Sequence, residues 1–271
     1  MNQRASIKIP FDLLPALAQL KSEMKNGISV IIADGEKQGS GLAKKILYEI
    51  TDSKTVLFLS GGKTPAKLYY ELGEEQNLKI GAAAMVDERW GKPLHSNSNE
   101  LMIQKSGLPD YFKRETIPFY RILNGEQDIA KNARHYGETV IYLFSHFPKS
   151  VAVLGIGEDG HIAGIAPNRS DFTNPLFSKE QRDLLVSYFI DPKPMSGADT
   201  SAPPDGFGPR VTITITGLSK MDALIILAFG EKKKAALSNI FKKGAIEQIP
   251  ARFVNNKAVA NKTVLITDQK M

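Results

Sequence analysis

Thr55-Val-Leu-Phe-Leu-Ser-Gly-Gly-Lys-Thr-Pro-Ala-Lys-Leu-Tyr-Tyr-Glu-Leu72 holds a β run, a glycine turn and a helix in immediate succession. The first five residues are apolar and β-prone, as a short buried strand requires. Ser60-Gly-Gly-Lys-Thr-Pro65 breaks the run. Pro65 suits a first helical turn, where its missing N–H is not needed, and residues 66–72 continue that helix.

The same order recurs on either side. Residues 29–33 form a short apolar strand candidate, and residues 39–50 return to helical periodicity. Residues 82–86 read as a strand leading into Asp87-Glu88-Arg89, and residues 129–144 as a long helix before the apolar run at 151–154. Further on, residues 210–216 have strong strand character, 221–229 are largely apolar, and 232–243 have a helical pattern. Leu13, Leu14, Leu17 and Leu20 predict an amphipathic helix over residues 10–25. This alternation predicts an α/β fold, a mainly parallel open sheet with helices on both faces. Residues 191–209, rich in Pro, Gly, Ser and Asp, predict a long loop that is either a lid or a plain connector. Internal repeats are absent, and one domain over residues 1–271 is expected.

Composition removes several classes of function. The chain has no cysteine, so disulfides, thiol nucleophiles and cysteine metal sites are excluded. A net charge of +6 raises the question of nucleic acid. Its densest cluster, Lys232-Lys233-Lys234 with Lys242-Lys243, lies beside Ala and Leu and reads as a solvated helix face, so no nucleic-acid partner is expected. No segment approaches the roughly 20 apolar residues of a membrane span, and residues 1–10 lack a secretory apolar run. A cytoplasmic protein with no membrane partner is expected.

The chemistry concentrates in Val153-Leu-Gly-Ile-Gly-Glu-Asp-Gly-His-Ile-Ala-Gly164. His161 is delivered just after a strand, where open α/β sheets build their sites. Asp159 can hold one imidazole nitrogen and leave the other as a general base. The alternative is a histidine that fills a turn or caps a helix. Ser60-Gly-Gly-Lys-Thr-Pro65 has the parts of an anion cradle, with Gly61, Gly62, Lys63 and Thr64 at a helix N-terminus, and an ordinary tight turn is the other reading. It matches neither a Walker loop nor Gly-x-Gly-x-x-Gly. Asp87-Glu88-Arg89 is either a solvated loop or part of a site. In a site, Arg89 would grip a phosphate or carboxylate, and Asp87 would orient it or a substrate hydroxyl. His95, His135, His146 and His161 lack paired ligand spacing, so no metal is expected. Ser60 is not in a Gly-x-Ser-x-Gly elbow, which disfavours a serine hydrolase.

Taken in order, these segments resemble the 6-phosphogluconolactonase family, within the glucosamine-6-phosphate isomerase/6-phosphogluconolactonase superfamily. Leu59-Ser-Gly-Gly-Lys-Thr-Pro65 is similar to the family's phosphate loop. Asp87-Glu-Arg89 with Ser98-Asn99 is similar to its second motif, and Gly155-Ile-Gly-Glu-Asp-Gly-His161 to its catalytic signature. Pro209-Arg-Val-Thr-Ile-Thr214 and Gly230-Glu-Lys-Lys233 resemble its later strand and turn. The resemblance implies a NagB/RpiA/CoA transferase-like fold and hydrolysis of 6-phospho-D-glucono-1,5-lactone in the oxidative pentose phosphate pathway. It implies His161 as the base that activates water, oriented by Asp159. Gly61, Gly62, Lys63, Thr64 and Asp87 would contact substrate, with Arg89, Arg210 and Lys233 as cationic contacts. No cofactor is implied; the partner is a phosphorylated sugar lactone, and the protein acts as a monomer or homodimer.

Two departures stand out: the residues after the histidine, and Ala202-Pro-Pro204 with an inserted Asp-Gly-Phe-Gly where lactonases commonly have Lys-Pro-Pro before the Arg-Val-Thr strand. Lactonases commonly read Thr-Ala-Ser-Leu-Phe-Pro after the histidine, where this chain has Ile162-Ala-Gly-Ile-Ala-Pro167, so Gly164 removes a hydroxyl. Glucosamine-6-phosphate deaminases place a glutamate five residues after the histidine and an aromatic after Asp-Glu; here those positions are Ala166 and Arg89. A noncatalytic sugar-phosphate sensor would need a DNA-reading region ahead of the first strand, and the segment before Ser29 has room for about one helix.

Overall fold

The computed structural model describes residues 22–168, 184–189 and 208–270. Among these described residues, eight strands form the main sheet: β1 (Ser22–Lys25), β2 (Ile28–Ile32), β3 (Thr55–Leu59), β4 (Ala82–Met85), β6 (Phe119–Tyr120), β7 (Lys149–Gly155), β10 (Ala223–Ala228) and β11 (Thr263–Thr267). They lie in the order β1-β2-β11-β10-β7-β3-β4-β6, and every pairing except β1 with β2 is parallel. Strands β3, β4, β10 and β11 are buried throughout, which is why they read as unbroken apolar runs instead of alternating ones.

Helices α1 (Glu36–Ile50) and α2 (Lys63–Glu75) connect strands while the chain moves from β2 toward β4. Helix α5 (Ile129–His146), and α7 (Lys234–Ile240) with α8 (Lys257–Ala260), connect strands while it moves back. Right-handed crossovers in opposite directions put these two groups on opposite faces. Leu42, Ala43, Ile46 and Leu47 of α1 are buried, and Phe144 of α5 packs its ring 5.7 Å from that of Phe58 on β3.

A second sheet, which sequence reading did not anticipate, consists of β5 (Asp87–Arg89), β9 (Arg210–Ile213) and β8 (Val186–Phe189), all antiparallel. The chain passes from one sheet to the other at Met85 and Val86. There the Met85 N–H donates to the Tyr136 hydroxyl at 2.9 Å, and that hydroxyl donates back to the Met85 carbonyl. Val86 N–H bonds Leu59 of the main sheet, while its carbonyl accepts from Ile213 of the small one.

Four sequence expectations need correction. Residues 22–25 are strand, not the end of a helix; Asn26 and Gly27 both have positive φ, the primed-turn geometry that closes a two-residue hairpin. Residues 1–21 of that expected helix, and residues 191–207 of the expected loop, lie outside the described residues. The strand begun at Arg210 stops at Ile213, because the Thr214 hydroxyl accepts from Gly217 N–H at 3.0 Å and caps α6 (Ile215–Lys220). The helix expected over 232–243 is a 3-10 turn at Glu231–Lys233 followed by α7. Finally, Asp87-Glu88-Arg89 is no solvated loop: Asp87 is 3% exposed and Glu88 fully buried.

Candidate active site

Strands β3 and β7 are neighbours, but their connections diverge. From β3 the chain turns through α2 to β4 on one side, and from β7 it continues to β10 on the other. Such a reversal opens a crevice at the carboxyl ends of the two strands, the usual ligand position in open α/β sheets. Both glycine segments emerge there. Ser60 N–H bonds the Val153 carbonyl at 3.1 Å, and a Cβ added at Gly155 would stand 3.7 Å from Pro65 Cδ.

On the β7 side, His161 Nδ1 lies 2.7 Å from Asp159 Oδ1, which also accepts the His161 backbone N–H at 3.0 Å. Burial works against ionisation of Asp159, yet the hydrogen bond and charge of His161 outweigh it and hold the carboxyl below its ordinary value. An ionised carboxylate only accepts, so Nδ1 is the nitrogen that carries a proton toward Asp159, and Nε2 is the one through which the ring can gain or lose one. The turn is closed by Gly157 N–H donating to the His161 carbonyl at 2.9 Å. It is braced from outside by Ala251 N–H on the Gly160 carbonyl at 3.1 Å. A side chain at Gly157 has no room: its Cβ would meet His161 Nδ1 at 1.9 Å. After the histidine the loop turns inward, with Ile162, Ala163, Ile165 and Ala166 all buried. The Thr212 hydroxyl on β9 donates to the Ala163 carbonyl at 2.6 Å and ties this loop to the small sheet.

On the β3 side, Gly62 caps α2 with φ 101°, and the helix's first turn has neither an acidic residue nor a side-chain cap. Its first N–H groups and dipole therefore favour an anion. The small sheet supplies cations to the same crevice. Asp87 and Arg89 share a face with Thr212 and Arg210, their register partners on β9. Arg210 Nη1 lies 3.6 Å from Asp87 Oδ2, and the Ser60 hydroxyl donates to Asp87 Oδ1 at 3.0 Å. Arg89 Nη1 donates to Asn99 Oδ1, while its buried Nε has no partner among the described residues. A Cβ at Gly164 would stand 2.9 Å from Asp87 Oδ2 and 3.2 Å from Arg210 Cδ, so the histidine loop lies directly against the charged cluster.

Glu88 faces away from that cluster and holds it in place. Its carboxylate accepts from the N–H groups of Arg89 at 2.7 Å, Asn99 at 2.7 Å and Glu100 at 2.8 Å, and from the Ser98 hydroxyl at 2.8 Å. All of these donors except Arg89 lie at the start of α3 (Asn99–Lys105). Burial is the largest influence on Glu88 and pushes its pKa up, opposed by all four hydrogen bonds.

The crevice thus assembles Gly61, Gly62, Thr64, Asp87, Arg89, Asp159, His161 and Arg210. The Lys63 side chain is exposed at the mouth of the loop. Lys233 stands on the turn after β10, the strand beside β7, at the same carboxyl edge; Asp268 anchors that turn by accepting Gly230 N–H at 2.9 Å. Sequence reading placed Ser60, Glu88 and Asn99 within the motifs but gave them no role in the arrangement, and it missed Thr212 as part of it. Ser98-Asn99, conspicuous after the charged triplet, was the one available signal. His95 is structural, its Nε2 on the Arg89 carbonyl at 3.1 Å. Chemically, the arrangement offers a carboxylate-oriented base beside a helix N-terminus and two guanidiniums, suited to a reaction on an anionic substrate.

A family model described as glucosamine-6-phosphate isomerases/6-phosphogluconolactonase matches residues 36–265. Among curated proteins, a 6-phosphogluconolactonase from Xylella fastidiosa is 29% identical over 199 residues, covering 71% of this chain and 74% of the relative. A glucosamine-6-phosphate deaminase from Lactobacillus helveticus is 27% identical over 233 residues, covering 83% and 89%. Among solved structures, a 6-phosphogluconolactonase from Plasmodium vivax superimposes with a TM-score of 0.71 at 19% identity, over 95% of this chain and 96% of that one.

Proposed function

The chain belongs to the glucosamine-6-phosphate isomerase/6-phosphogluconolactonase family, and from that premise we propose that it hydrolyses 6-phospho-D-glucono-1,5-lactone to 6-phospho-D-gluconate. The observation that carries this reading is the Asp159–His161 pair, carried past the end of β7 beside the Gly61–Gly62 loop of β3, on a segment whose Gly164 lies against Asp87 and Arg210.

In this reading the distal phosphate lies on the α2 N-terminus, held by Gly61, Gly62, Lys63 and Thr64, with Arg89, Arg210 and Lys233 as cationic contacts and Asp87 orienting the guanidiniums. His161 Nε2 takes a proton from water as the hydroxide adds to the lactone carbonyl. Asp159 stabilises the imidazolium without accepting its proton. The tetrahedral intermediate collapses with cleavage of the bond to the ring oxygen. That oxygen leaves with the proton from His161, and the new acid ionises. The phosphate anchor acts at the far end of the sugar, so its binding energy serves to place the carbonyl beside the base. The reading includes a cytoplasmic location and action as a monomer or homodimer, by one domain spanning residues 1–271.

Purified protein is expected to hydrolyse freshly generated 6-phosphogluconolactone faster than the spontaneous background. His161→Ala is expected to remove about 10²–10⁴-fold of that gain and to retain phosphate binding. Ammonia release from glucosamine 6-phosphate in a parallel assay would instead identify a deaminase. Ala166, buried where deaminases place a glutamate, speaks against that outcome. Binding of sugar phosphate with no rate gain on either substrate would identify a sensor.

A further inference from the structure

We propose that Asn99 is a positioning residue that sets the Arg89 guanidinium and the Asp87 carboxylate against the Gly61 loop, with Glu88 fixing Asn99 in turn. This rests on reading the crevice as a site for a phosphorylated substrate.

Asn99 is 1% exposed and spends its whole amide on the cluster. Nδ2 donates to the Asp87 carbonyl at 2.9 Å and to Asp87 Oδ2 at 3.1 Å, and Oδ1 accepts from Arg89 Nη1. Its partners define the amide orientation, since a guanidinium only donates and a carboxylate only accepts. An aspartate here would set two carboxylates side by side. The fourth neighbour is steric: a Cβ at Gly61 would fall 1.8 Å from Asn99 Oδ1. The asparagine thus fills the space that the glycine leaves, and the phosphate loop, Asp87 and Arg89 are located by one side chain. Asn99 cannot drift along α3, because Glu88 accepts its backbone N–H together with the Ser98 hydroxyl and the Glu100 N–H on either side. A guanidinium fixed before substrate arrives loses less rotamer freedom on binding, so the benefit falls on affinity and not on the chemical step.

The test uses Asn99→Ala, Gly61→Ala and the double variant of the full chain. Folding is checked by circular dichroism and thermal melting, and binding of inorganic phosphate by calorimetry beside lactone kinetics. Asn99→Ala is expected to raise KM and the phosphate Kd about tenfold while kcat stays within about twofold. Gly61→Ala is expected to do the same by displacing the amide, and its loop position preserves the test if Asn99→Ala does not fold. In the double variant the new methyl enters the vacated space, so the effects are non-additive and no worse than Asn99→Ala alone. An unchanged phosphate Kd in either single variant, multiplicative losses in the double, or a fall in kcat at constant KM would overturn the proposal. A wild type that binds phosphate without opening the lactone overturns the lactonase reading and leaves the phosphate measurements to decide this one. A wild type that binds no phosphate overturns both.

Discussion

Arg89 and Arg210 are direct register partners across the antiparallel pairing of β5 with β9. Like charges placed opposite one another on one face destabilise a sheet, and Asp87 supplies one negative charge against two positive ones. A bound dianion would reverse the sign of that local imbalance.

Phosphate should therefore raise the melting temperature of this protein. At about 100 times its Kd the stabilisation is about 2.7 kcal/mol, a shift of a few degrees for a chain of this size. Arg89→Ala should lose most of the shift, whatever the change in its melting point without phosphate, where relief of the Arg89–Arg210 repulsion is opposed by loss of the hydrogen bond to Asn99. A thermal melt with phosphate and with chloride at equal ionic strength separates the two effects; an equal shift for both proteins would count against the arginine pair as the anion site.

Gly157→Ala should separate chemistry from binding. The new Cβ would overlap His161 Nδ1 and stand 2.6 Å from Asp159 Oδ1, so the imidazole must swing away. A displacement of about 1 Å at a catalytic base costs about 10²-fold in kcat. The phosphate loop is untouched, so product affinity measured by calorimetry should remain near wild type.

Glu100 should make the stability of the protein fall as pH rises. Burial is its largest influence and raises its pKa above about 4.5, the Arg121 charge opposes this, and Glu88 adds to it. Arg121 Nε lies 3.0 Å from Glu100 Oε1, but the approach lacks hydrogen-bond geometry. A raised folded pKa means that the contribution is fully present below the unfolded value and is lost as pH climbs through the folded one. Glu100→Gln removes this titration. The variant should gain stability relative to wild type as pH rises from 4.5 to neutrality. Urea unfolding at both pH values measures it; a constant difference between the two proteins would contradict the assignment.

Tyr136→Phe should cost about 1–3 kcal/mol, because it strands the buried N–H and carbonyl of Met85 where the chain leaves the main sheet. Chemical denaturation is the direct check, and a loss below about 0.5 kcal/mol would mean that water replaces the hydroxyl.

The parallel sheet and its carboxyl-edge glycine turns were legible in the chain because they are local. Thr55–Leu59 is apolar throughout since both its faces are covered, and Pro65 marks the helix start without reference to any distant residue. The Asp159–His161 pair is local too, spanning two residues of one turn. Asn26-Gly27 carried a hairpin signal of the same local kind, overridden in the reading by the leucine spacing ahead of it. By contrast, the charged triplet at 87–89 has one meaning in water and another in the fold, since the N–H groups that make Glu88 tolerable belong to a helix ten residues on. The opposition of Arg89 and Arg210, and the fit of Asn99 over Gly61, depend on strand pairing and close packing between distant segments. Sequence by itself determined the scaffold and the Asp159–His161 pair, because strand burial, helix starts and a two-residue contact are all set by near neighbours in the chain. Tertiary structure alone decided what surrounds the N-terminus of α2, because complementary charge and volume exist only once distant backbones meet.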